Sequence, residues 1–168
     1  INSLQFVKQN KEPEILFTKD SSIVYLYFEQ LKQNNFDGLL TLSSGESDNK
    51  LTLNGYLKLL LLNSLNYGET IRVDYNSVDE SLKTLKTNLK LPFVFNSDFS
   101  IESDLNITQN DSIYTNTNFF FKSGLEKIKI SNYLGFNIEN STSEISNNVY
   151  ENFKSVQLFY ELYYQLFK

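Results

Sequence analysis

The sequence predicts an all-β fold, an antiparallel up-and-down sheet of about eight strands. Apolar and polar residues alternate with a period of two along most of the chain, as they do in a strand with one apolar face. Polar connections separate these segments, and no segment has a convincing helical period. The 168 residues are enough for one domain.

The clearest pair of strands lies in GYLKLLLLNSLNYGETIRVDY, residues 55–75. Its leucine run is interrupted by Lys58 and closed by Asn63, so it is too short for a membrane helix, which needs about 20 apolar residues. Odd-numbered positions carry apolar residues on both sides of the break. The stretch therefore predicts two strands joined by a short turn, to which Asn66 and Gly68 contribute turn chemistry.

The remaining elements follow from the same alternation. Residues 1–20 are polar, and we expect irregular structure there, followed by a strand at 22–29 whose compact apolar sequence would allow burial on both faces. Alternate positions from Val156 to Leu166 are apolar, which favours a strand over a helix. The predicted strands of the sheet are Phe36–Ser43, Lys50–Leu62, Thr70–Asn76, Thr84–Phe95, Phe99–Thr108, Tyr114–Lys127, Asn132–Glu139 and Phe153–Phe167.

Two architectures fit such strands. A transmembrane barrel has strands of about nine to eleven residues, longer than most globular strands, and a watery interior that accepts mixed charges. A soluble sandwich also has one apolar face, so both architectures stay open on pattern alone. The connections favour the barrel, in which long outer loops alternate with short turns. Long polar connections are expected at 43–49, 76–83, 108–112 and 140–148, and shorter ones at 63–68, 96–98 and 130–132.

The composition excludes several functions. The formal net charge of -5 and the single arginine, Arg72, argue against a nucleic-acid partner, which requires a basic surface. The chain has no histidine and no cysteine, so the commonest general base, thiol chemistry and disulfides are excluded. No glycine-rich phosphate loop occurs either. We therefore expect no enzyme activity, no cofactor and no metal site.

Four stretches in order, residues 24–44, 51–75, 89–117 and 132–145, resemble the BamA/TamA-like outer-membrane assembly and translocation proteins of the Bacteroidetes type. One shared feature is an N-x-x-x-x-G-E turn, matched by Asn63 or Asn66 with Gly68 and Glu69. The others are LPFVF at Leu91–Phe95 and DSIYTNT at Asp111–Thr117.

The resemblance implies two regions. Residues 1–34 would be the end of a periplasmic POTRA-like domain, and residues 35–168 the strands of a partial transmembrane β-barrel. The family's barrels have about twice as many strands as this chain supplies. Its Val-Arg-Gly-aromatic loop motif is also absent, so the chain resembles either the N-terminal part of such a barrel or a smaller relative of the family.

The function implied by the resemblance is insertion or translocation of other proteins through a strand seam. The partners would be the lipid bilayer of the outer membrane, other outer-membrane or secreted proteins as substrates, and accessory subunits. The localisation would be the outer membrane, with extracellular loops and a periplasmic N-terminal segment. The alternatives are a soluble secreted all-β binding or adhesin module and a plain porin-like outer-membrane channel.

The first barrel strand would form one side of the seam. Glycine weakens a strand, and a weak seam strand can open and pair with an incoming strand. The candidate seam residues are Phe36, Gly38, Leu39, Leu40, Thr41 and Leu42.

Charged residues occupy the alternate, polar positions of neighbouring strands, and these residues would line the barrel interior. They could be read as catalytic carboxylates or a selectivity cluster, but nothing accompanies them that catalysis would use. We interpret them as a solvated interior network. The candidate lumen charges are Arg72, Asp74, Lys86, Lys90, Glu102, Asp104 and Lys122.

Overall fold

The computed structural model describes residues 6–31, 33–44, 51–79, 81–110, 113–127, 129–143 and 152–165. Every regular element in these ranges is a β-strand. These ranges contain no helix that is long and apolar enough to cross a membrane. The strands are β1 (Val7–Phe17), β2 (Ser22–Gln30), β3 (Asn35–Ser44), β4 (Leu51–Leu62), β5 (Thr70–Asp79), β6 (Leu82–Val94), β7 (Phe99–Asn110), β8 (Tyr114–Glu126), β9 (Ile130–Ser143) and β10 (Phe153–Tyr164).

The strands form two sheets. β1 and β2 pair antiparallel in a two-stranded sheet, and β3 to β10 form an eight-stranded antiparallel sheet in which each strand pairs with the next. The larger sheet is not closed, so β3 and β10 are its edges. The predicted all-β, up-and-down architecture is confirmed.

The prediction of irregular structure over residues 1–20 was wrong, because β1 occupies Val7–Phe17. Its sequence does not alternate and contains Pro13, which cannot donate a ladder hydrogen bond. The structure accommodates the proline where the β1–β2 register shifts, between the pairs formed by Lys11 and Glu14. Residues 22–29 form the expected strand, but the burial on both faces that their sequence would allow does not occur, because most of their side chains are exposed.

The predicted contrast between long loops and short turns was wrong in part. β5 continues to Asp79 and β6 begins at Leu82, so most of the expected 76–83 loop is strand. β7 likewise continues to Asn110. Asn, Ser and Thr at these strand ends join the ladder because main-chain pairing does not require apolar side chains. Residues 45–49, 80, 111–112 and 144–148 of the predicted loops lie outside the described residues.

The register separates the side chains into two faces. One row runs across all eight strands of the larger sheet and defines what we term the apolar face. Its members are Phe36, Leu59, Val73, Thr87, Leu105, Phe119, Ile138 and Val156. The sequence neighbours of these residues form a second row, which defines the polar face. They are Asp37, Lys58, Asp74, Lys86, Asn106, Asn118, Glu139 and Ser155.

The larger sheet is a single layer. Among the described residues, the only buried apolar side chains are Leu62 and Tyr133, and both belong to the polar face. On the apolar face, side chains near the sheet edges are widely exposed, with Phe36 at 69% and Leu158 at 81%. No described segment covers the apolar face, so the structure has no apolar core of the kind that two packed layers produce.

We predict that Gly55→Ala destabilises the β3–β4 pair. Gly55 has a φ of +118°, and a Cβ there would collide with the carbonyl oxygen of Leu39. The expected loss is about 2 kcal/mol or more in the free energy of unfolding, measured by denaturation of the native protein with far-UV circular dichroism. Gly38→Ala on the facing strand is the control, since its nearest contact would be 3.0 Å and its φ is ordinary. Equal losses in the two variants would contradict the explanation.

Candidate functional site

The seven candidate lumen charges all lie on the polar face, in three adjacent rows that run across the strands. Asp74 lies opposite Lys86 in the first row. The second row contains Arg72 and Asp104, which flank Asn88. In the third row Glu102 lies between Lys90 and Lys122. The side chains that the sequence placed on one parity are therefore close neighbours.

The signs alternate along these rows. Glu102 separates two lysines in the third row, and Asp74 lies between Lys58 and Lys86 in the first. In the second row, the Asn88 side-chain amide donates a hydrogen bond of 2.6 Å to Asp104. Opposite charges across a strand pair stabilise a sheet, whereas like charges destabilise it. The register therefore places opposite charges beside one another on this part of the polar face.

Lys122 on β8 is the most connected of these charges. Its Nζ lies 3.4 Å from Glu102 Oε2 on β7 and 3.4 Å from Glu161 Oε2 on β10. The same ammonium lies 5.0 Å from the ring centroid of Tyr133 and 5.7 Å from that of Phe120. The Lys122 side chain is only 17% exposed, so the pairs are better shielded than most surface ion pairs. The cluster links β7, β8 and β10.

Glycine makes room for this cluster. Gly135 on β9 lies between Lys122 and Phe159, and a Cβ on it would collide with the Phe159 ring. Phe159 instead extends across β9 and stacks on Phe120, with ring centroids 5.2 Å apart and planes 10° from parallel. Contacts between strands two apart are expected on the concave side of a curved sheet. The glycine therefore lets β8 and β10 meet over β9.

The predicted seam strand, β3, is an edge of the eight-stranded sheet. One side of its main chain pairs with β4, and the other side has no strand partner among the described residues. Its side chains divide between the two faces. Phe36, Gly38, Leu40 and Leu42 belong to the apolar face, and Leu39 and Thr41 to the polar face.

The Asn63–Glu69 turn gives the N-x-x-x-x-G-E motif a structural role. The Asn63 side-chain oxygen accepts a hydrogen bond of 2.8 Å from the Gly68 N–H. The Glu69 carboxylate accepts bonds from the N–H groups of Leu65, at 2.6 Å, and Tyr67, at 3.1 Å. Asn63 and Gly68 both have positive φ, which suits these residue types. The motif thus closes the β4–β5 turn through its own side chains.

Glu69 is fully buried, at 0% exposure. Burial by itself would raise the pKa of its carboxyl group, but main-chain N–H donors within the turn outweigh that effect and lower the pKa below its ordinary value of 4.5. The carboxylate is therefore the form that the folded turn binds.

The N-terminal segment contacts the same end of the sheet. Asn34 Oδ1 accepts bonds from the Leu62 N–H at 2.9 Å and from the Ser64 hydroxyl at 3.1 Å. The Phe6 ring lies against Gly68, and the Leu31 N–H donates to the Phe6 carbonyl oxygen at 2.9 Å. The β1–β2 hairpin is thereby attached beside the β4–β5 turn.

Sequence reasoning missed several members of the polar face. Glu161 pairs with Lys122, and Lys58 lies between two aspartates, yet neither was among the predicted charges. Both residues would have been included if the two-residue alternation of polar positions had also been applied to β4 and β10. The alternation could not have identified the aromatic members of the polar face, Phe120, Tyr133 and Phe159. It predicts polar residues at these positions, and aromatic residues contradict that prediction.

No family model, curated protein or solved structure matches the chain. Within the ranges that the structure describes, no group of three or more Asp and Glu side chains could hold a metal ion.

We predict that Glu69→Ala exposes the main chain of the β4–β5 turn. Removing the carboxylate leaves the N–H groups of Leu65 and Tyr67 without acceptors, at a cost of about 2 to 4 kcal/mol in local stability. Amide hydrogen exchange at these two positions measures the effect. Folding lowers the pKa of the Glu69 carboxyl group. The carboxylate therefore stabilises the turn fully above about pH 4.5, the ordinary pKa, and this stabilisation is lost as the pH falls through the lower pKa of the folded state.

Glu69→Gln is the control for the pH dependence. It keeps one acceptor oxygen but cannot titrate, so its exchange protection should be intermediate and lose the acid transition. An unchanged acid transition in that variant would show that a different group controls the turn.

Proposed function

We propose that the chain is part of an outer-membrane β-barrel of the assembly-factor type, which inserts or translocates other proteins through a strand seam. The observation that carries the proposal is the eight-stranded sheet with one uncovered apolar face and one polar face. The apolar face would contact lipid, and the polar face would line an aqueous interior. The resemblance of the N-x-x-x-x-G-E turn and its neighbours to BamA/TamA-like proteins supports the assembly role.

The energetic argument begins with burial. A soluble domain of this size buries about 70% of the surface its unfolded chain exposes. This chain is 40% hydrophobic, yet the described residues bury only Leu62 and Tyr133 among their apolar side chains. Each large apolar side chain moved from water gains about 1.5 to 3 kcal/mol. The apolar face therefore requires a cover.

Strand length favours lipid as that cover. β4, β7 and β10 each have 12 residues, and β9 has 14. Tilted strands of about nine to eleven residues cross a bilayer, whereas globular strands most often have five or six. The polar row suits water on the other side of the sheet, as in a barrel interior. This pattern also fits a plain porin-like channel.

The edges of the sheet support a seam. An unpaired strand edge is costly in lipid, so β3 and β10 would pair with further strands of the same polypeptide or of another chain. Gly38 in β3 contributes no side chain to packing, which makes this strand the weaker pairing partner. A substrate strand would add to β3 by β-augmentation.

The N-terminal hairpin fits a periplasmic position. It is attached through Asn34 and Phe6 to the end of the sheet that contains the Asn63–Glu69 turn. Short turns of outer-membrane barrels face the periplasm. Residues 1–34 would then be the end of a POTRA-like domain, and accessory subunits or substrates would approach from that side.

We predict that two consecutive aromatic positions distinguish lipid from water. Phe119 belongs to the apolar face and Phe120 to the polar face, and the chain has no tryptophan of its own. In the native protein reconstituted with brominated lipids, Phe119→Trp should be strongly quenched, and Phe120→Trp should respond mainly to aqueous acrylamide. A soluble adhesin module would show bromolipid quenching at neither position and would stay monodisperse without detergent.

We also predict that β3 contacts substrate proteins during assembly. A photo-crosslinking amino acid at Leu40 in the native protein should form adducts with outer-membrane or secreted proteins in cells. Leu105 in the central strand β7 is the control, because it also belongs to the apolar face but has a paired strand on either side. Equal labelling, or none at Leu40, would exclude the seam and leave the porin-like channel.

A further inference from the structure

The polar face has two chemically different halves. The charged rows of β4 to β8 place opposite charges beside one another. Across β7 to β10 a shallow open groove of about 400 Å³ is lined mostly by neutral amides and two phenylalanines, together with two carboxylates. The amides are Asn106, Asn118, Asn137 and Gln157.

The four amides have unused hydrogen-bonding capacity. Within the described part of the chain, none of them makes a side-chain hydrogen bond to another residue. Each amide offers two donors and one acceptor oxygen. They face one groove rather than separate surfaces, so a single ligand can reach all of them.

The two phenylalanines supply an apolar platform. Phe120 and Phe159 stack with ring centroids 5.2 Å apart over Gly135, and both line the groove. Aromatic rings beside amide side chains suit a ligand that has C–H faces and hydroxyl groups together. Four strands span about 14 Å, which is about the length of two or three linked sugar rings.

The charges at the groove argue against an anionic ligand. Its two carboxylates, Asp104 and Glu161, are already bonded to Asn88 and Lys122 respectively. The Lys122 ammonium is held between Glu102 and Glu161, so it offers no free positive charge. A phosphate or an acidic sugar would meet carboxylates without a compensating cation.

We propose that this groove binds a neutral oligosaccharide. The amides and carboxylates exchange hydrogen bonds with hydroxyl groups, and the Phe120–Phe159 pair packs against a sugar ring. The proposal does not depend on membrane insertion, because the polar face offers the same groove in a barrel interior or in a soluble adhesin module. Its failure would therefore leave the proposed function untouched.

Saturation-transfer difference NMR on the native protein tests the proposal, in a detergent without a sugar headgroup if detergent is needed. The probes are maltohexaose, cellohexaose, xylohexaose and mannohexaose, with a sialic-acid oligomer as the anionic comparison. We expect saturation transfer to at least one neutral probe and none to the anionic one. Absence of transfer to all four neutral probes would overturn the proposal.

Matched variants on β10 locate the site. Gln157→Ala should weaken binding about threefold to tenfold, the effect of one hydrogen bond, and Ser155→Ala should not. Ser155 is the right control because it lies two residues away on the same face and does not line the groove. Phe159→Leu should weaken binding, and Phe159→Tyr should retain it. Binding of the probe by Gln157→Ala as tightly as by the native protein would refute a glycan site. Displacement of the probe by an unfolded polypeptide that binds more tightly than the probe would also refute it.

Discussion

The rest of the structure depends on the continuous main-chain register of the eight-stranded sheet. Because successive side chains of a strand point to opposite faces, a slip of one residue at any pair would exchange the faces of every strand beyond it. The row from Phe36 to Val156 stays apolar only while all seven pairs keep their alignment. The alternating charges, the Lys122 cluster and the amide groove all follow from that alignment.

The same register makes the sheet dependent on its surroundings. A single open layer can satisfy the main-chain hydrogen bonds of its inner strands but cannot bury its apolar face against itself. The polar face, by contrast, provides some of its own contacts, since Lys122 lies between two glutamates and Phe159 packs on Phe120. Contacts within the chain therefore stabilise the polar face. The apolar face depends for its stability on the medium or partner that covers it.

The β4–β5 turn and the free edge of β3 differ in how many contacts restrain them. The Asn63–Glu69 turn is closed by a buried carboxylate and several main-chain donors, and Asn34 ties the entry of β3 to it. The free edge of β3 lacks a comparable restraint among the described residues. A strand that is anchored at one end and unpaired along one side combines a fixed position with freedom to accept another strand, which a seam requires.

The sequence by itself determined the strand class, the position of most strands and the face of each candidate lumen charge, because the two-residue alternation is a local property. It could not reveal β1, since Pro13 and a non-alternating sequence hide a strand that only its pairing with β2 defines. Nor could it show that residues around Asp79 continue a ladder. The partnership of Lys122 with Glu161, and the stacking of Phe120 on Phe159, were decided by tertiary structure alone. Both join residues 39 positions apart across an intervening strand, and both require the space that Gly135 leaves.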